Sequence, residues 1–206
     1  MMASLPVRIA FALALILGNS AAAGAGVTYD PMARGIDRVC NAFVPSAAPR
    51  DVVELARVPG NDGSVPIWRR SDAATKARLQ SAPDAPAADF ARIVFDRGGI
   101  VFADTVHVDA RATGTETRTW CFVGGRLSRA TIEIFDAAAD AGWRRWLYYG
   151  DDVSSPLSED IAPVAPGKLP DPRARPPMDM LFIDAFATPT KLPFYDPAIA
   201  ALARKR

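Results

Sequence analysis

The chain has 206 residues, half of them hydrophobic, which is enough to bury a substantial core within one main domain. Its 24 basic and 23 acidic residues nearly cancel, and without the first 23 residues, whose only charge is Arg8, the formal charge is zero. That balance removes the electrostatic basis for expecting nucleic acid or anionic lipid as a partner.

The N-terminus carries Arg8, then an apolar run from Ile9 to Gly18, then Asn19-Ser20 and the small residues Ala21-Ala22-Ala23. Charge, a short apolar run and an A-x-A site in that order describe a cleavable secretory signal peptide. The run is too short to span a bilayer comfortably, and no later segment is long and apolar enough to do so. Cleavage is expected after Ala23 or Ala25, giving a periplasmic or secreted protein with no stable membrane insertion once the signal is removed. Cys40 and Cys121, the only cysteines, then share an oxidising compartment, and one disulfide between them is expected. Two cysteines and one histidine make no standard structural zinc site, and neither a metal nor a cofactor is expected.

Asp30-Pro31 opens the best helical stretch, with aspartate as cap and proline in the first turn. Met32, Ile36, Val39, Cys40 and Phe43 follow at helical spacing, so Cys40 is expected on the apolar stripe, and Pro45 is expected to end the helix. A bond to Cys121 would pin this helix across the sheet described next. Residues 51–58 and 65–68 read as a loose hairpin, confined to an edge by Pro59 and Pro66, with a short helix over 51–58 as the alternative. Ser71 or Asp72 can cap a further helix through Gln80, and Ser81 to Ala88 reads as a linker.

From Phe90 to Gly150 the chain reads as a meander of short-turn antiparallel strands. Gly124-Gly125 is the strongest hairpin signal, because both glycines tolerate the positive φ of a primed turn. A regular register there pairs Val123 with Arg126, Cys121 with Ser128, Thr119 with Ala130, and Trp120 with Arg129. Period-two alternation places Ile100, Phe102, Val106 and Val108 on one face, interrupted by Asp104. After the meander, prolines recur from Pro156 to Pro176, an extended surface pattern. Residues 180–186 are apolar again and suit an edge strand or packing on the sheet, and Asp196-Pro197 repeats the cap-and-proline helix start.

The expected architecture is therefore α+β: an N-terminal helix packed on a curved antiparallel meander of 4–5 strands, with an extended Pro-rich C-terminal tail. The expected organisation is a signal peptide over 1–23, an α+β domain over 24–155, a Pro-rich extended segment over 156–177, and a C-terminal segment with a short helix over 178–206, packed on the main domain.

Chemistry has few places to reside. His107 is the only histidine; Thr105 and Asp109 alternate with it on a polar strand face, where a carboxylate beside an imidazole suits a general base. Asp104 must be paired, exposed or functional, since it breaks an apolar face. No G-x-S-x-G, H-E-x-x-H or cysteine-protease pattern completes a constellation. Trp120, Arg129, Arg145, Trp146, Tyr148 and Tyr149 together have the composition of a recognition surface. Asp151-Asp152 lacks the spaced ligands of a calcium loop. These residues favour a non-enzymatic exported module that binds a small ligand or an envelope protein. The competing expectations are a periplasmic enzyme using His107 with Asp104 or Asp109, and a structural envelope protein attached through its tail.

Overall fold

The computed structural model describes residues 31–46, 51–58, 66–72, 88–97, 99–108, 114–136, 141–164, 183–198 and 201. The expected signal peptide, the cap at Asp30, the helix after Ser71, most of the 81–88 linker and Asp109 lie outside them.

One long helix, α1 (Pro31–Ser46), precedes eight strands: β1 (Val52–Val58), β2 (Ile67–Arg70), β3 (Ala88–Asp96), β4 (Gly99–Val108), β5 (Gly114–Val123), β6 (Arg126–Asp136), β7 (Ala141–Tyr148) and β8 (Ser158–Val164). All pair antiparallel in one sheet, in the order β2-β1-β3-β4-β5-β6-β7-β8. The α+β class is as expected, but the sheet has eight strands rather than 4–5. The meander supplies β3 to β7. The hairpin β1–β2 joins it through β1 and leaves β2 at the edge. At the other edge, β8 forms within the proline-rich stretch, and an edge strand accommodates Pro163 because its outer side needs no ladder partner.

The turns follow their chemistry. Gly124 and Gly125 both take positive φ, 61° and 78°, and Val123 pairs with Arg126 as expected. Beyond that pair the register departs from a regular one. A bulge inserts Ser128, so Phe122 faces Leu127, Cys121 faces Arg129, Trp120 faces Ala130 and Thr119 faces Thr131. A second bulge, at Val101, pairs Phe95 with Ile100 but Val94 with Phe102. Ile100 and Phe102 therefore point to opposite faces instead of sharing one.

Both faces of the sheet are covered. On one, α1 packs Cys40, Ile36 and Phe43 against Val94, Phe102 and Cys121. The Cys40–Cys121 disulfide crosses this layer and closes a separation of 81 residues. The inward side of the helix carries Ala33, Ile36, Asp37, Cys40 and Phe43. Met32 and Val39, expected on that stripe, are 40% and 39% exposed, because the covalent bond at Cys40 and an ion pair at Asp37 fix the roll of the helix.

On the opposite face, residues 183–195 lie across the central strands. Leu192 and Phe194 are buried with Leu55, Ile93, Trp120 and Phe122. The Ala187 carbonyl accepts a hydrogen bond from the Leu127 amide, and the Asp184 carbonyl accepts one from the Trp120 indole at 2.8 Å. The segment around Phe194 thus folds back on its own domain. It is followed by a turn in which the Asp196 carboxylate accepts from the Ala198 amide, as expected of a helix cap.

Replacing both cysteines by alanine is expected to lower the unfolding free energy by about 3 kcal/mol, within the range for a closed loop of this length. A lower urea midpoint of the variant, with the fold retained by circular dichroism, is the outcome to look for.

Candidate functional site

Strand alternation builds a polar patch where the C-terminal segment stops covering the sheet. Asp89, His107 and Glu116 are direct neighbours across β3, β4 and β5, and Ala91, Thr105 and Arg118 form the next row. Side chains two apart on a strand share a face, so Thr105 and His107 project together, as do Glu116, Arg118 and Trp120. These rows floor a cleft of about 240 Å³. Trp68 of β2 forms one wall, and Phe186, Pro193 and Asp184 of the C-terminal segment form the other. Edge-to-face packing of Trp68 on Phe194 and tilted packing of Trp120 near Phe186, each with ring centroids 5.5 Å apart, fix these walls.

The cleft is ordered by ion pairs. His107 Nδ1 lies 2.6 Å from Asp89 Oδ1, and Arg57 donates to Asp89 Oδ2 at 3.0 Å. Arg118 Nε donates to Glu116 Oε1 at 2.5 Å. Burial would raise the Asp89 carboxyl, but hydrogen bonds and positive charge from His107 and Arg57 outweigh it and hold the group below its ordinary value of 3.8. The His107 side chain is 48% exposed, so the imidazole faces solvent across an open site rather than a sealed one.

Asp104, the other carboxylate weighed beside His107, sits on the opposite face of β4, where Arg92 of β3 pairs with it through Nε at 2.9 Å. Arg92 also stacks over Phe102. The carboxylate on His107 is Asp89 instead.

The six aromatic and arginine residues expected to form one recognition surface are divided between the two faces. Trp120, Arg145 and Tyr149 lie on the side of the C-terminal segment. Trp120 and Tyr149 are buried in that core, and Arg145 is held by Glu159 at 2.8 Å. Burial raises the Tyr149 hydroxyl; the Arg145 charge opposes this and the Glu159 charge adds to it. On the helix side, Trp146 lies under the Arg144 guanidinium, while Arg129 and Tyr148 are buried beneath α1. There Arg129 donates to Asp37 at 2.5 Å and to Asn41 at 3.0 Å, and the Tyr148 hydroxyl donates to Asp37 at 3.0 Å.

Sequence reasoning missed Asp37, Asp89, Glu116, Arg118 and Trp68. The alternation Glu116-Arg118-Trp120 was a readable signal for part of the cleft. Asp37 also had one, since a carboxylate between Ile36 and Cys40 on a helix must meet whatever those two meet.

Among the described residues, no cluster of three or more His, Cys, Asp or Glu side chains could hold a metal ion, and no helix is long and apolar enough to cross a membrane. Compared with protein-family models, curated proteins and solved structures, the chain matches none.

Asp37→Ala leaves Arg129 charged and buried without its carboxylate, and is expected to cost about 3 kcal/mol of stability by chemical denaturation. Asp89 gives a pH signature. Its lowered folded value means that its contribution is present above 3.8 and is lost as pH falls through the folded pKa. The stability gap between wild type and Asp89→Asn should therefore close as pH falls into the acid range, as read by urea midpoints across pH.

Proposed function

We propose that the protein is an exported, non-enzymatic binding module that takes a small ligand in the cleft between Trp68 and Phe186. The observation that carries this reading is the cleft itself. Polar side chains already oriented by ion pairs stand between fixed aromatic walls, which is the composition of a pre-formed small-molecule site. Export is supported by the charged and apolar N-terminal pattern, and the disulfide is compatible with it.

A second reading, a periplasmic enzyme, is favoured by one contact: the 2.6 Å approach of His107 to Asp89, which orients an imidazole as a general base requires. Attachment through the tail has less support, because Leu192 and Phe194 are occupied in the domain's own core.

The test is native mass spectrometry of the protein recovered from the cell envelope. A small-molecule adduct is expected, displaced on denaturation and absent from Trp68→Ala protein that retains its fold. Recovery without any adduct, together with a turnover activity abolished by His107→Ala, would establish the enzyme instead.

A further inference from the structure

From the unused hydrogen-bonding atoms of the cleft we infer that its ligand is a neutral sugar of one or two rings; this rests on the small-ligand reading above. Arg57 and Arg118 already balance Asp89 and Glu116. An ionic ligand would find these counter-charges already neutralised by one another, and Asp184, an exposed acidic residue of the lining, further disfavours an acid.

The pairs nevertheless leave capacity unused. Among the described residues, Glu116 Oε2, the terminal nitrogens of Arg118, His107 Nε2 and the Thr105 hydroxyl have no protein partner. Glu116 and Arg118 are alternate residues of one strand, joined to each other, so an open acceptor and open donors lie side by side. A hydroxyl group donates and accepts at once. Two neighbouring ring hydroxyls can donate to Glu116 and accept from Arg118 without changing the charge of either. Such bonds to ionised groups are the stronger class.

The walls suit the rest of a sugar. Trp68, Phe186 and Pro193 present apolar surface to the C–H faces of a ring, while the floor meets its hydroxyl edge. The volume, about 240 Å³, lies below the roughly 300 Å³ at which drug-sized sites begin, which limits the ligand to a short saccharide.

The experiment uses the intact exported protein and three probes followed by calorimetry and tryptophan emission: a neutral disaccharide (maltose), an acidic sugar (glucuronate) and an organic cation (choline). Maltose is expected to bind and shift the emission, glucuronate and choline to do neither. Glu116→Ala and Arg118→Met, with unfolding midpoints matched to wild type, should weaken maltose at least tenfold. Binding of glucuronate or choline without maltose would overturn the sugar class while leaving a small-ligand module. Silence of all three would overturn the sugar class, and recovery from the envelope without any adduct would overturn the small-ligand reading as well. Maltose binding that survives both substitutions would overturn the placement.

Discussion

A single row of side chains across the sheet holds the helix to it. Val94, Phe102, Cys121, Arg129 and Tyr148 are successive cross-strand neighbours from β3 to β7, and all face α1. The helix answers with Phe43 and Ile36 over the apolar members, Cys40 bonded to Cys121, and Asp37 bridging Arg129 and Tyr148. Cys40 and Asp37 are three residues apart, one helical turn, and their partners are direct neighbours on adjacent strands. Covalent and ionic attachments therefore act at adjoining points. Together they define both the position and the roll of the helix, which a lone disulfide leaves free to rotate.

The bulge at Ser128 is what makes this pairing work. Without the inserted residue, Ser128 would face Cys121, and Arg129 would emerge on the other side of the sheet, among Trp120, Phe122 and Phe194. An arginine there would enter an apolar layer with no carboxylate to meet it. One extra residue thus separates a polar anchor under the helix from an apolar layer under the C-terminal segment. The same division leaves the cleft free to be polar, since its charged rows lie at the margin of the C-terminal cover and on the face away from the helix.

Much of this was legible in the residues. The glycine pair at 124–125, the helix through Cys40 and the cysteine pairing each follow from a local rule with a strong physical cause. The bulges did not announce themselves, because Ser128 and Val101 resemble their neighbours and only the packed faces reveal which residue is extra. β8 was hidden by prolines that exclude a central strand but not an edge one. In the cleft, His107 stood out by being unique, whereas Asp89 became its partner through a strand pairing across eighteen residues that no periodicity displays.

The second cover has a consequence in time. Trp120 receives its partner from Asp184, 64 residues further along, and Phe194 reaches the core later still. A nascent chain can assemble every strand and even close the disulfide while one whole apolar face remains bare. During that interval the half-covered sheet exposes adhesive surface, and contacts this distant in sequence form slowly. The fold is therefore complete only once the C-terminal segment closes that face.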